Sequence, residues 1–230
     1  MAITVNRITE ADIDGAIDTI QQAFAEDPYN KWVYPDRSKF SPTRNRVSLG
    51  LRCRWGVKHG LFYVARDPAE PERILGTAMW LAPHPPSQPQ SWSEYFSSWQ
   101  LWFAQIRMNL WYGRGGLSTA RYWIWKEQQA KAQDVLWTSD KGYYFCNIVT
   151  VLPEAQGRGV GRALMEVVLQ QADEEGVWCY LESSRDVPNV AIYERFGFKL
   201  VKEMDCQEGE DKNAKITLYC MMREPQTPAA

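Results

Sequence analysis

Along the first 81 positions the apolar residues follow two rhythms. Residues 3–8 (ITVNRI) read as a short strand. From Thr9 the spacing changes. Ile13, Ala16, Ile17, Ile20, Ala23 and Phe24 recur every three or four positions, the stripe of an amphipathic helix, with Thr9 as its cap and Asp12 in its first turn. Asp27-Pro28 ends that run. A second helix is expected over 42–59, opened by Pro42 and closed near Gly60. Strands follow at 61–66 (LFYVAR) and 73–81 (RILGTAMWL), joined as a hairpin through the turn residues between them.

The rhythm then breaks. Residues 82–90 (APHPPSQPQ) are too rich in proline for regular structure and read as a loop. Beyond it Trp92, Tyr95, Phe96, Trp99, Trp102, Phe103, Ile106 and Leu110 step by three and four, which predicts a helix with a very aromatic face. Gly113, Gly115 and Gly116 stop it, and a further helix over about 117–133 carries Tyr122, Trp123, Ile124 and Trp125. Seven of the 11 tryptophans fall between residues 92 and 137, so this stretch is no ordinary connection. The simplest expectation is that the two stripes cover each other as a helical hairpin. The last third reads strand 142–151, helix 160–176, strand 177–183, short helix 187–197, and strands 198–205 and 214–222, with 223–230 as a frayed tail.

Bulk properties narrow the classes. The net charge is −2, from 26 basic and 28 acidic residues, so no global field draws in nucleic acid. The five cysteines are odd in number and scattered. With only two histidines, neither a disulfide framework nor a metal site is expected. No apolar run is long enough to span a membrane, and the N-terminus lacks the pattern of a secretory signal. A reducing, cytoplasmic location is the expectation.

Chemistry concentrates in LPEAQGRGVGRALM (152–165). Gln156, Gly157, Arg158, Gly159, Val160 and Gly161 sit where a strand hands over to a helix. Glycines there allow positive φ and a close approach of backbone to ligand. The helix start offers unpaired N–H groups, and Arg158 and Arg162 add positive charge. The combination predicts a cradle for a pyrophosphate. A P-loop string is absent. A dinucleotide fingerprint fits at Gly157 and Gly159 and fails at Arg162, although Glu182 sits where a ribose-binding acid would. A dinucleotide-dependent oxidoreductase is thus an alternative.

Gln156-x-x-Gly159-x-Gly161 resembles the acetyl-CoA signature of the GNAT acetyltransferase superfamily, and LESSRDVPNVAIYERFGF (181–198) resembles that superfamily's closing motif. Within it the C-terminal stretch looks most like the puromycin-type antibiotic N-acetyltransferases. The resemblance covers 143–200 and extends over 1–81. It implies one domain over 1–230, a mixed, mostly antiparallel α/β sheet of about seven strands flanked by helices, a helical insertion at about 83–141, and an acetyl-CoA-binding core at about 142–205. It also implies a V-shaped gap between strands 143–151 and 177–183. There acetyl-CoA would pair with Val149, Thr150 and Val151 and rest its pyrophosphate on the N–H groups of residues 157–162, with Gln156 and Ala163 completing the cofactor-binding set. By the same resemblance Asn189 would bond the pantetheine arm and the Tyr193 phenol would protonate the leaving thiolate.

An alkylamine nucleophile has a pKa near 10.4 and must lose a proton. Glu182, at a strand end beside the gap, is the candidate base, and equally a candidate for a plain surface acid. Asn147 alternates with Val149 and Val151 and is expected to point into the acceptor site. Trp80 and a few insertion aromatics are expected to line a pocket for a bulky amine. The reading is an acetyl-CoA-dependent N-acetyltransferase of a small, partly apolar amine. A protein or peptide acceptor is the alternative, and monomer and homodimer both stay open. Cys146 and Cys179 are expected to be buried and inert.

Overall fold

The computed structural model describes residues 3–89, 92–210 and 214–226. In chain order the elements are β1 (Thr4–Arg7), α1 (Ile13–Ala23), α2 (Pro28–Val33), α3 (Pro42–His59), β2 (Leu61–Asp67), β3 (Glu70–Leu81), α4 (Trp92–Tyr112), α5 (Thr119–Leu136), β4 (Tyr143–Val151), α6 (Val160–Glu175), β5 (Trp178–Ser183), α7 (Asn189–Glu194), β6 (Lys199–Gln207) and β7 (Lys215–Arg223). The strands form one seven-stranded sheet in the order β1-β2-β3-β4-β5-β7-β6. Every pairing is antiparallel except β4 with β5.

Local chemistry explains most boundaries. The Thr9 N–H donates to Asp12 at 2.8 Å, and α1 buries Ile13, Ala16, Ile17 and Ile20 as its spacing predicted. Asp27-Pro28 does more than end a helix. Asp27 accepts from the Asn30 N–H at 3.0 Å with Pro28 in the first turn, so the same dipeptide starts α2. The apolar spacing of 28–33 does not predict that helix. α6 begins after Gly159 (φ +83°) and ends at Gly176 (φ +64°), both in the left-handed region that glycine reaches without a Cβ clash.

Three apolar clusters cover the sheet. On one face α6 places Leu164, Met165, Val168 and Leu169 against Leu75, Trp80, Tyr144, Cys146 and Leu181. On the other face α1 and α3 cover Phe62, Val64 and Met79. Next to them α2 and α5 cover Phe145, Tyr180, Met204 and Leu218.

The strands that flank the candidate site part company. β4 and β5 pair only from Tyr143–Trp178 to Cys146–Leu181. Beyond that β4 continues to Val151 as a partner of β3 alone. The splay begins at a bulge. Trp80 pairs with Cys146 and Met79 with Ile148, so Asn147 is the extra residue. An extra residue inverts the alternation. Tyr144 and Cys146 before the bulge share a cluster with Val149 and Val151 after it. Asn147 therefore does not alternate onto one face with Val149 and Val151, contrary to the expectation from a regular strand.

The aromatic stretch also departs from expectation. α4 lies along α3, whereas α5 lies against β6 and α2, so the two do not pair as a hairpin. The C-terminal strand runs further than predicted. Arg223 ends β7 and donates to both oxygens of Asp173 at 2.7 Å; of the rest of the predicted tail, residues 224–226 carry no regular structure and 227–230 lie outside the described residues.

Candidate active site

The glycine-rich turn has the geometry of a cradle. Gly157 (φ +75°) and Gly159 (φ +83°) both turn the chain left-handed, and a Cβ built on either meets no protein atom within 4 Å. Close contact inside the protein therefore does not account for glycine here. Helical hydrogen bonding in α6 starts with the Ala163 N–H to the Gly159 carbonyl at 3.0 Å. The N–H groups of Val160, Gly161 and Arg162 precede that bond and have no helical acceptor, so they face the open side of the turn. The residues fit a diphosphate: backbone donors, a helix dipole and free space converge on one spot.

The side chains around the cradle divide their work. Arg158 donates to Asp67 at 2.6 Å, so its guanidinium also ties the turn to the β2–β3 hairpin. Arg162 is exposed and lies 3.6 Å from Glu166. Gln156 is exposed, and its N–H closes a short turn on the Pro153 carbonyl at 3.3 Å. Val160 is buried in the core, leaving its N–H as its only contribution. Thr150 is buried too, its hydroxyl bonded to that of Thr77 at 2.9 Å, so on the free edge of β4 it also offers backbone alone.

Tyr193 and Asn189 lie one turn apart on α7. The Asn189 amide donates to Ser183 at 3.1 Å and pins α7 to the end of β5. Tyr193 is half-buried against the α6-side core, its ring 6.2 Å from that of Phe198. Burial, with Cys146 and Asp27 nearby, pushes its phenol above the ordinary tyrosine range, so it stays protonated. Asp27 was not foreseen. It accepts from Ser184 just after β5 and so links α2 to the chain that leads into α7.

Glu182 faces the opposite side of the sheet. Leu181 points toward α6 and Tyr180 toward α5, and Glu182 shares the side of Tyr180. Its carboxylate accepts from Gln129 of α5 and from the Tyr180 hydroxyl, each at 2.9 Å, and Lys126 bonds the other end of Gln129 at 2.8 Å. Burial raises the Glu182 carboxyl above the usual range, against the two hydrogen bonds and the Lys126 charge. Burial likewise lowers the Lys126 ammonium, against the attraction of Glu182. The aromatics at this carboxyl are Tyr180 of β5 and Trp125 of α5, and the Trp125 ring lies 5.2 Å from that of Tyr29 of α2.

Trp80 occupies a different place from the one expected. It is fully buried in the α6-side core and does not line an open pocket. Asn147 is exposed at the bulge. An open cleft of about 710 Å³ lies past the end of β5, between Glu26, Pro28, residues 184–187 and β7 residues including Thr217 and Tyr219. All five cysteines are buried and free, and burial raises the Cys146 and Cys179 thiols. Among the described residues no group of three or more His, Cys, Asp or Glu is placed to hold a metal, and no helix is long and apolar enough to cross a membrane.

Comparison with known proteins meets this geometry. Residues 118–200 match the family model of the acetyltransferase (GNAT) domain. The chain is 34% identical over 134 residues to the uncharacterized N-acetyltransferase C550.08 of Schizosaccharomyces pombe, covering 55% of this chain and 51% of that protein. It is 24% identical to the uncharacterized N-acetyltransferase C56E4.07 of the same yeast, covering 95% and 91%. The chain thus spans about half the length of the first relative and most of the second. Its fold is that of a Corynebacterium glutamicum protein described as histone acetyltransferase HPA2 and related acetyltransferase, at TM-score 0.64 and 21% identity over the whole of both chains. The splayed parallel strand pair and the glycine turn that opens a helix both lie within residues 118–200, the stretch that matches the acetyltransferase (GNAT) domain model. The match starts at residue 118, so it takes in α5 and leaves α4 outside.

Proposed function

We propose that this protein transfers the acetyl group of acetyl-CoA directly to a primary amine of a small, partly apolar molecule, in the manner of the small-molecule branch that includes the puromycin-type enzymes. The observation that carries this reading is the cradle. Two left-handed glycines bordered by empty space lead into unpaired helix N–H groups, beside a strand edge released by the β4–β5 splay. Bound there, acetyl-CoA supplies an activated acetyl thioester. Residues 157–162 hold the diphosphate through main-chain N–H groups, and the free edge of Val149, Thr150 and Val151 orients the arm as an added strand.

The proton traffic is assigned by side of the sheet. The Glu182 carboxylate takes the proton of the attacking amine on the α5 side. Its raised pKa makes it a stronger base than an exposed glutamate. Tyr193, held protonated on the α6 side, donates its phenolic hydrogen to the sulfur as the thiol leaves. Support for a small, partly apolar acceptor comes from α5 lying over Glu182 through Gln129 and from Trp125 of the same helix beside it. A thiol-release assay with acetyl-CoA against aminonucleosides, arylalkylamines, polyamines, amino acids and histone peptides tests the reading. Turnover is expected with a compact amine bearing apolar surface. Turnover with the peptides alone would transfer the activity to a protein acceptor.

A further inference from the structure

α4 is amphipathic in the reverse sense. Trp92, Tyr95, Phe96, Trp99, Trp102, Phe103, Ile106 and Leu110 fall on one stripe about 120° wide at about 100° per residue. That stripe faces away from the protein: Trp92 is 78% exposed, Phe96 59%, Phe103 58% and Leu110 83%. The inward face carries Ser97 and Met108, both buried, and Asn109, which accepts from Arg44 of α3 at 2.7 Å. A lone helix packs its apolar stripe inward, and here the fold directs it outward. The rings form a continuous surface, with Trp99 and Trp102 centred 5.4 Å apart and Trp102 and Phe103 5.0 Å.

We propose that a second copy of this chain covers this stripe, the two α4 helices pairing antiparallel about a two-fold axis. The area is right. At roughly 200 Å² per aromatic side chain, the exposed fractions amount to on the order of 800 Å² of apolar surface per chain. That is about what each partner of a standard interface buries. The chemistry is right as well. Interface cores are rich in aromatics and poor in charge, and an uncharged stripe presents nothing that repels its own copy across a two-fold axis. From Trp92 to Leu110 the stripe is about 27 Å long at about 1.5 Å per residue, and an antiparallel pair covers its full length. A membrane surface is the poorer fit, because surface-lying helices carry lysine and arginine. α4 has Arg107 as its one basic residue, and the chain has a net charge of −2. No cradle residue and none of the groups around Glu182 lies on the stripe, so dimerisation leaves the candidate active site open.

Sedimentation velocity on the full chain tests this. At about 10 μM the wild type should sediment as a species of about 53 kDa, twice the 26.6 kDa chain mass. The double variant Trp99→Glu with Phe103→Glu should fall to a single chain with unchanged circular dichroism. Should that variant fail to fold, Phe103→Cys, near the middle of the stripe, should form an intermolecular disulfide under mild oxidation. The five native cysteines are buried and should form none. A wild type that stays at one chain mass at about 100 μM overturns the proposal, whether or not it binds phosphatidylcholine vesicles. So does a folded double variant that remains dimeric.

Discussion

The two sides of the β4–β5 splay are built from different materials. On the α6 side the cradle is main chain: two glycines at positive φ and the first N–H groups of a helix, all within 157–162. On the α5 side the polar group around Glu182 is side chain, brought from β5 and α5, with Gln129 and Glu182 53 residues apart in sequence. A backbone site depends on a short run of sequence and on little else. A side-chain site depends on how distant elements come together. The first should be fragile to one insertion of bulk. The second should respond in graded steps as its members are removed.

The largest effect is expected at the cradle. Gly159→Glu places bulk and negative charge in space that is empty of protein and should weaken acetyl-CoA binding at least 100-fold or so. That corresponds to two charge-assisted hydrogen bonds at about 1.5 kcal/mol each. Gly159→Ala controls for the cost of a Cβ at φ +83°, expected to be about 1–2 kcal/mol of stability. Titration calorimetry and thermal melts separate the two. Next comes the proposed base. Glu182→Gln should lower kcat/KM on the order of 100-fold with acetyl-CoA affinity intact. Because burial raises this carboxyl, the folded protein holds its proton more tightly than the unfolded chain does. The charged form therefore costs stability as pH climbs past the ordinary glutamate range, and Glu182→Gln should melt higher than wild type at neutral pH. An unchanged kcat/KM would leave Glu182 a structural acid.

On the thiol side, Tyr193→Phe should lower kcat about 10-fold and change the acetyl-CoA Kd by less than about a factor of two. The modest size follows from a leaving thiol whose own pKa is near 8.5. The smallest effect is expected at Gln129→Leu. Its amide stabilises the Glu182 carboxylate, so its loss should move the acid limb of the kcat/KM profile to higher pH while the plateau above it changes little. A limb that stays put would remove α5 from the proton-accepting side.

The same contrast explains what the sequence revealed. The sheet of seven strands, its flanking helices and the glycine turn were legible because alternation, helical spacing and positive-φ glycines are local signals. The position of Glu182 on a strand end was legible, but its partners were not. Nothing in the spacing of α5 says that Gln129 and Lys126 face inward while Trp123 faces out at 63% exposure. Asn147 was misplaced because a one-residue bulge leaves no signature in the apolar pattern, yet it inverts every position after it. Trp80 was drawn toward the acceptor by its residue type, whereas the register of β3 buries it in the core. α2 had a usable signal in Asp27-Pro28, a cap followed by a first-turn proline, which was read as a stop when it is also a start. α4 was recognised as a helix, but its stripe was assigned a partner within the chain that the fold does not provide.

The most direct test is calorimetric titration of the folded wild-type protein with acetyl-CoA, in parallel with NAD and NADP. One molecule of acetyl-CoA should bind per chain with measurable heat, desulfo-CoA should bind comparably through the same diphosphate, and neither dinucleotide should bind. Absence of heat with either CoA compound, or saturable binding of a dinucleotide instead, would contradict the assignment of the α6 turn.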